Sequence, residues 1–285
     1  MQQSSSFKTK RHNITISFLN KTIKNFSKLI YFILQNISSN IIITSIIPFH
    51  KYPQMKGILF DMDGVLIDAM PYHAEAFKIA FKEEVNHDID KKDVFLLEGM
   101  PGPELVKEIF KKIDKSKKEI DNDIIKRISK RKEQVFKEIQ KAKSFEGVEN
   151  LLKSLNCNNC LKAIVSGASK QEVESLLDKN RINDFDIKIT GEDLKDGKPD
   201  PEPFQTALEK LNLRPSDAII VENAPLGVES AIRAKMRYIV TLNNTPLNIS
   251  DFKGLLSNNK DQMENIVFED TKSASNFLIK WCCEE

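Results

Sequence analysis

Three short apolar runs in the chain each end at a polar side chain. The runs are GILF before Asp61, AIV before Ser166 and AIIV before Glu222. Continuous apolar runs of this length, separated by helical patterns, are typical of strands that are buried on both faces of a parallel sheet. Functional groups in such sheets gather beyond the carboxyl ends of the strands, so we expect the three polar side chains to meet at one edge.

A long segment separates the first two predicted strands. Residues 62–165 lie between Asp61 and Ser166, which is far more chain than a single crossover helix requires. Apolar positions recur with helical spacing in YHAEAFKIAFKEE, in GPELVKEIFKKI and over residues 115–142. The segment is therefore predicted to contain three helices of its own.

These helices predict a division of the chain into two parts. Residues 71–143 are expected to form a small helical cap. The cap is inserted into an α/β core, which is made of residues 55–70 and 144–285. The loop GMPGP at 99–103 interrupts the helical pattern and is expected to be a flexible part of the cap that faces the substrate.

Charge is distributed unevenly along the chain. Residues 1–54 contain seven of the 43 basic residues and none of the 41 acidic ones. The remainder is net acidic and has no electrostatic reason to bind nucleic acid. Residues 29–49 lack charge, but many are polar, so they are only a marginal membrane span. We expect residues 1–54 to be a disordered or targeting extension, or to lie upstream of a true start at Met55, and rank these above a membrane anchor.

The chain contains four cysteines, Cys157, Cys160, Cys282 and Cys283. They are too few for the disulfide framework of a secreted domain, which favours a reducing compartment. The pair in CNNC has the CxxC spacing, but its only possible partners lie near the other end of the chain, and the pair precedes a strand-like run instead of opening a helix. We therefore expect a simple loop and not a zinc or redox site.

Asp61 and Asp63 are the first candidates for chemistry. A carboxylate at a strand end can attack phosphorus if a cation offsets the repulsion between the two negative groups. Asp63, two residues later, could protonate the leaving oxygen and then take a proton from water, while Gly64 permits the tight backbone that follows. The alternative of a calcium loop fails, because glycine is the fourth residue of DMDG and not the sixth.

Further candidate residues lie later in the chain. Lys198 lies in DGKPDPEPF, where prolines stiffen the backbone, and a fixed ammonium group there could offset phosphoryl charge. Glu222 and Asp61 offer two hard oxygen ligands, which suit magnesium. The hydroxyl of Ser166 and the amides after it, beginning with Gly167, could donate to phosphoryl oxygens. Each residue alone also fits a plain role, such as a surface lysine, a helix cap or a turn.

Taken together, DMDGVLIDAMPYH, VSGAS, GKPDPEPF and VENAPLGVES resemble the four motifs of the haloacid dehalogenase superfamily. They are most similar to its β-phosphoglucomutase-like phosphatases, which carry a helical cap between the first two motifs. The resemblance covers about residues 55–275. It implies a Rossmann-like parallel sheet core with an inserted α-helical cap, a bound Mg²⁺ and an aspartyl-phosphate intermediate.

The resemblance also implies a role for each matching residue. By position, Asp61 is the nucleophile and Asp63 the general acid and base, with Ser166 and Lys198 stabilising the phosphoryl group. The implied metal ligands are Asp61, the carbonyl of Asp63, and Glu222. The dehalogenases that give the superfamily its name lack the second aspartate and the metal, which argues against dehalogenation here.

The chain departs from the family pattern at the fourth motif and resembles one branch at the cap boundary. Asn223 stands where many members carry a second acid; it could hold a metal-bound water without charge, so we expect weaker magnesium binding. Tyr72 and His73 match a pair that sugar-phosphate mutases use at the cap boundary, which makes His73 a candidate substrate-binding residue. EGMPGPE lacks the arginine with which the mutase cap holds a second phosphate, so water is the expected acceptor.

These features predict a magnesium-dependent phosphatase that acts on a small, sugar-like phosphate monoester. The first alternative is a hexose-phosphate mutase, and the second is a catalytically weak binding protein that has kept the fold. We expect the catalytic part to be monomeric, without nucleic-acid or membrane partners. A cytoplasmic location is expected, with targeting to an organelle or anchoring to a membrane through residues 1–54 as the alternative.

Overall fold

The computed structural model describes residues 55–113, 120–157, 159–256 and 266–283, so the predictions for residues 1–54 lie outside the described residues. A parallel sheet forms the centre, in the strand order β3-β2-β1-β4-β5-β6. The strands are β1 (Lys56–Phe60), β2 (Cys160–Val165), β3 (Ile187–Ile189), β4 (Ala218–Glu222), β5 (Arg237–Thr241) and β6 (Ile266–Phe268). The predicted α/β fold with a parallel sheet is confirmed.

Helices connect the strands and cover the sheet. Those between β1 and β2 are α1 (Met70–Val85), α2 (Lys91–Leu96), α3 (Gly102–Ile113), α4 (Asn122–Ile139) and α5 (Val148–Ser154). Those that follow β2 are α6 (Lys170–Asn180), α7 (Glu202–Leu211), α8 (Pro225–Arg233) and α9 (Thr271–Cys283). In the part of the chain that the structure describes, no helix is both long enough and apolar enough to cross a lipid bilayer.

The sheet is buried on both faces, as the continuous apolar runs predicted. In β1, Ile58 and Phe60 point into one apolar cluster and Leu59 into the other. Helices α5, α6 and α9 cover the first face, and α7 and α8 cover the second. Because neither face meets water, the runs GILF, AIV and AIIV stay apolar up to the strand ends, where the polar residues begin; Lys162 of β2, just before AIV, is a buried exception.

Four helices between β1 and β2, α1 to α4, form what we call the helical insertion. α1 packs mainly against α4, with Phe77 and Phe81 in the same apolar cluster as Ile125 and Ile128. The predicted helix over 115–142 begins only at Asn122, because the side chain of Asp121 accepts a hydrogen bond from the backbone of the first turn and caps it. The short helix α2 was missed, since its six residues are too few to show a helical period.

The prediction of a simple loop around CNNC is wrong. Disulfide bonds join Cys157 to Cys283 and Cys160 to Cys282. They fasten the C-terminal end of α9 to the start of β2, across sequence separations of 126 and 122 residues. The pairing depends on tertiary contact between distant segments, which spacing along the chain does not reveal.

Removing both disulfides is expected to destabilise the chain far more than removing one. A crosslink that closes a loop of about 100 residues contributes about 4.7 kcal/mol in the chain-entropy model. The two bonds close nearly the same loop, so either one alone retains most of that effect. Urea unfolding of Cys160→Ser/Cys282→Ser should therefore resemble that of the wild type, whereas a variant with all four cysteines replaced should unfold at clearly lower urea. An intact mass equal to that of the fully reduced chain would contradict the pairing.

Candidate active site

The carboxyl edge of the sheet brings together the three polar residues that follow the apolar runs. β1 pairs with β2 on one side and with β4 on the other, so Asp61, Ser166 and Glu222 lie at neighbouring strand ends. The backbone amide of Asp61 donates to the carbonyl of Val221 at 3.0 Å, which fixes the start of the turn after β1. All three side chains are buried. They therefore form one enclosed polar site.

Lys198 connects the strand ends through its ammonium group. Its Nζ donates hydrogen bonds to Oδ1 of Asp61 at 2.5 Å and Oε1 of Glu222 at 2.6 Å. A third bond, 3.1 Å long, goes to the carbonyl oxygen of Val165 at the end of β2. Burial opposes the charged form, but the two carboxylates outweigh it and raise the pKa of Lys198 above its usual value. The lysine therefore remains a cation in contact with Asp61.

Two neighbours hold Lys198 in position. Its Nζ lies 5.2 Å from the centre of the Phe204 ring on α7. From the other side, Gly99 packs directly on the aliphatic stem: a Cβ on Gly99 would lie 2.7 Å from the Cδ of Lys198. Gly99 also has a φ of 90°, which favours glycine. The loop predicted to face the substrate thus contacts the lysine.

The pKa of Asp61 lies near neutral pH. Burial raises its pKa from 3.8 to about 7; Lys198 acts in the opposite direction, and Glu222 adds to the rise. A carboxylate attacks only when it is ionised, so this group needs cations nearby to act as a nucleophile near neutral pH. Lys198 supplies one of them.

The surroundings of Asp63 favour the protonated form of its carboxyl group. Burial raises its pKa well above the usual value, and the charges of Glu172 and Asp61 raise it further. Its Oδ2 lies 3.9 Å from Nε2 of His73. A carboxyl group with a raised pKa holds its proton more readily and can donate it to a leaving oxygen. The two aspartates of DMDG therefore have different surroundings: Lys198 contacts Asp61, whereas Glu172 and His73 lie near Asp63.

His73 lies beside Asp63 and is not exposed at the cap surface. It is buried on α1, its ring stacks on that of Phe136 at 4.0 Å, and its Nε2 lies 3.3 Å from Oε1 of Glu172. Burial lowers its pKa well below 6.5, and Lys132 lowers it further. The imidazole is therefore neutral, next to the group that is expected to move the proton.

Glu222 is held firmly by the turn that follows it. Its Oε2 accepts hydrogen bonds from the backbone amides of Asn223 at 2.9 Å and Ala224 at 3.2 Å, while Oε1 accepts from Lys198. A Cβ on Gly227, in the first turn of α8, would lie 1.9 Å from Oε1. Only glycine fits there, which explains why position 227 is a glycine.

Ser166 and Gly167 form the loop after β2. Oγ of Ser166 accepts a hydrogen bond from the amide of Ala168 at 3.1 Å, which leaves its hydroxyl proton able to point toward a ligand. Gly167 packs against Gly99: a Cβ on Gly167 would lie 3.0 Å from the carbonyl oxygen of Gly99. The loop after β2 and the insertion therefore meet next to Lys198.

Several buried oxygen atoms at this edge have no protein donor. Among the described residues, Oδ1 of Asp63, Oδ1 of Asn223 and Oε1 of Glu98 are buried without a hydrogen-bond partner. Buried polar atoms are normally satisfied, and a cation that binds oxygen would satisfy such atoms. Carboxylate and amide oxygens suit magnesium better than metals that prefer sulfur.

The sequence analysis missed three charged residues that reach this site. Glu98 follows α2, and its Oε2 accepts a hydrogen bond from Nδ2 of Asn223 at 2.8 Å. Glu172 on α6 and Lys132 on α4 lie around His73 and Asp63 and influence their pKa values. Glu98 immediately precedes Gly99 in the loop that was expected to face the substrate, which was the one available signal. Glu172 and Lys132 lie on ordinary charged helices and gave none.

Comparison with curated proteins finds relatives over most of the chain. It is 28% identical over 208 residues to a phosphorylated carbohydrates phosphatase of Thermotoga maritima, which covers 71% of this chain and 90% of the relative. It is 29% identical over 182 residues to the validoxylamine A 7'-phosphate phosphatase of Streptomyces hygroscopicus, with coverage of 63% and 82%. Both relatives are named as phosphatases of phosphorylated compounds.

Comparison with solved structures points to the same group. The crystal structure of a β-phosphoglucomutase from Clostridium difficile superposes with a TM-score of 0.64 at 25% identity and covers 80% of this chain and 97% of the other. The sequence profile described as haloacid dehalogenase-like hydrolase matches residues 58–241. That range contains Asp61, Ser166, Lys198 and Glu222 and the helical insertion. The chain therefore belongs to the haloacid dehalogenase-like hydrolases and is an enzyme of their phosphatase and phosphomutase-like group.

Proposed function

We propose that this enzyme is a magnesium-dependent phosphatase, which hydrolyses a small, sugar-like phosphate monoester through a phosphorylated Asp61. The observation that carries the proposal is the contact of one buried ammonium group, Lys198, with both Asp61 and Glu222. Asp63, whose pKa is raised, lies two residues from the nucleophile. Attack and proton transfer thus have separate groups in one enclosed site.

The residues present fit a magnesium ion. The proposed ligands are a carboxylate oxygen of Asp61, the backbone carbonyl of Asp63, and Glu222 with Asn223. Glu222 already accepts three hydrogen bonds, so its role is to hold Lys198 and the turn as well as to add negative charge. When bound, magnesium would lower the repulsion between the phosphate and the nucleophile.

The proposed reaction has two steps, and each uses the same two aspartates. Asp61 attacks phosphorus, and the bond between phosphorus and the ester oxygen breaks as Asp63 gives that oxygen a proton. Asp63, now ionised, takes a proton from water, which attacks the phosphoryl group and restores Asp61. Lys198 and Ser166 hold phosphoryl oxygens in both steps.

A sugar-like substrate is supported by the named relatives. The Thermotoga maritima protein is named for phosphorylated carbohydrates, and the Streptomyces protein is named for the phosphate of validoxylamine A. The site residues are buried, and Glu98 and Gly99 of the insertion contact Asn223 and Lys198, so in this proposal the insertion moves to admit the substrate. This movement is consistent with treating residues 71–143 as a separate cap, which stays a proposal.

A mutase is the second candidate, supported by the structural likeness to β-phosphoglucomutase. A mutase must hold a second phosphate, and a cation in the insertion would favour that. The insertion brings Lys132 near Asp63 and His73, but beside Asn223 and Asp61 it places the carboxyl group of Glu98. A carboxyl group at this place gives a second phosphate no cationic partner beside Asn223, so water is the favoured acceptor.

The proposal is tested by assaying the full chain and Asp61→Asn against a panel of phosphate esters, with Mg²⁺ and with a chelator. We expect turnover of at least one sugar phosphate that requires the metal and is lost in the variant. Conversion of glucose 1-phosphate to glucose 6-phosphate with a bisphosphate primer would favour the mutase. Metal-independent turnover, or turnover that survives in Asp61→Asn, would contradict the proposal.

A further inference from the structure

Glu98 is the most unusual charged residue near the site. It is 7% exposed, and it reaches Asn223 from the helical insertion, 125 residues away in sequence. Its Oε2 is bonded to Nδ2 of Asn223, but its Oε1 has no hydrogen-bond partner among the described residues. An ion pair to Glu98 is likewise missing from this part of the chain. Burying a carboxyl group with one oxygen unsatisfied is costly unless a ligand completes it.

The buried acidic groups around Glu98 outnumber the ammonium groups that contact them. Asp61, Asp63, Glu98 and Glu222 are all buried at this edge, and Lys198 is the cation that contacts two of them. Four acidic groups and one ammonium leave an excess of negative charge that protons or a divalent cation must offset.

Glu98 places a carboxyl group next to Asn223, where the core has a neutral side chain. Asn223 follows Glu222 and is neutral, so the strand end supplies one carboxylate to a metal and not two. Glu98 touches the side chain of Asn223 itself. Gly64 makes room for this contact, because a Cβ there would lie 2.1 Å from Nδ2 of Asn223 and 3.3 Å from Oε1 of Glu98.

We propose that Glu98 supplies, from the helical insertion, the second negatively charged oxygen of the metal site that Asn223 does not supply. This inference rests on the proposed magnesium-dependent function. Binding the ion would satisfy the free oxygens of Glu98 and Asn223 together. Metal affinity and the contact between Glu98 of the insertion and Asn223 of the core are then linked, since each favours the other.

The experiment measures metal binding and not turnover. Isothermal titration of the full chain with Mg²⁺, and electron paramagnetic resonance titration with Mn²⁺, are compared for the wild type, Glu98→Gln, Asn223→Asp and the double variant. Glutamine keeps the size of the side chain and can still accept from Asn223, so only the charge is lost. Glu104→Gln, which removes an exposed acid of α3, is the matched control, and circular dichroism checks folding.

We expect Glu98→Gln to weaken binding of both ions at least tenfold, in the range typical of groups that support a metal site. Asn223→Asp should restore most of the affinity in the double variant, while Glu104→Gln should bind like the wild type. Equal affinity of Glu98→Gln and the wild type would overturn the role of Glu98 and leave the proposed function intact. Failure of Asn223→Asp to restore binding would overturn it as well. A wild type that binds neither ion would overturn both proposals.

Discussion

Replacing Lys198 with methionine should lower kcat by about 10³-fold, since removing one fixed group that stabilises transition-state charge costs about 10²- to 10³-fold. Methionine keeps much of the apolar stem that packs on Gly99 and Phe204, so the main loss is the ammonium. Lys198 also lowers the pKa of Asp61. Without it, Asp61 ionises at higher pH, and the acidic limb of the pH profile of kcat/KM should move upward.

The same substitution should cost stability. It leaves Asp61 and Glu222 buried without the cation that both contact, and breaking a buried ion pair typically costs about 3–5 kcal/mol. Urea unfolding and pH profiles of the variant measure both effects. Lys210→Met, which removes an exposed lysine of α7, is the control. A Lys198→Met enzyme with unchanged kcat and an unchanged acidic limb would contradict the assigned role.

Replacing Asp63 with asparagine should lower the turnover rate by an amount that depends on the leaving group of the substrate. An alkyl phosphate needs its ester oxygen protonated, so its turnover should fall by about 10²- to 10⁴-fold, the usual contribution of general acid catalysis. p-Nitrophenyl phosphate has a stable leaving anion and needs no proton. The variant should therefore release about one equivalent of nitrophenolate rapidly and then slow down, because Asp63 is also the base for the second step.

Rapid-mixing measurements with the two esters separate these steps. Asp68→Asn, in the same loop but partly exposed, provides a control that removes an acid without touching the proton transfer. Equal losses for both esters, without a burst of nitrophenolate, would show that Asp63 does not act as a proton donor to the leaving group.

The parallel sheet and the residues at its strand ends could be predicted from the sequence for one physical reason. Strands buried on both faces require continuous apolar runs, and those runs stop where the chain leaves the core. Asp61, Ser166 and Glu222 stand out because each follows such a run. Lys198 was recognisable from the stiff proline-rich turn around it, which matches a family motif.

The residues that the sequence did not reveal do not follow the apolar runs of the strands. Glu172 and Lys132 lie on amphipathic helices that carry many charged residues, so their spacing is the same as that of solvent-exposed side chains, and Glu98 lies in a loop between Leu97 and Gly99. Their location depends on how the helical insertion packs over the sheet. The pairing of Cys157 with Cys283 likewise arises from contact between segments that are far apart in the chain. Tertiary packing of this kind leaves no local pattern.

The most direct test of the account is to identify the atom that carries the phosphoryl group. Asp63→Asn, mixed with p-nitrophenyl phosphate and Mg²⁺ and quenched with acid, should yield a peptide that contains Asp61 and is heavier by one phosphoryl group. The double variant Asp61→Asn/Asp63→Asn, treated identically, should yield none. A phosphoryl group on another residue, or its persistence without Asp61, would contradict the central claim that Asp61 attacks phosphorus.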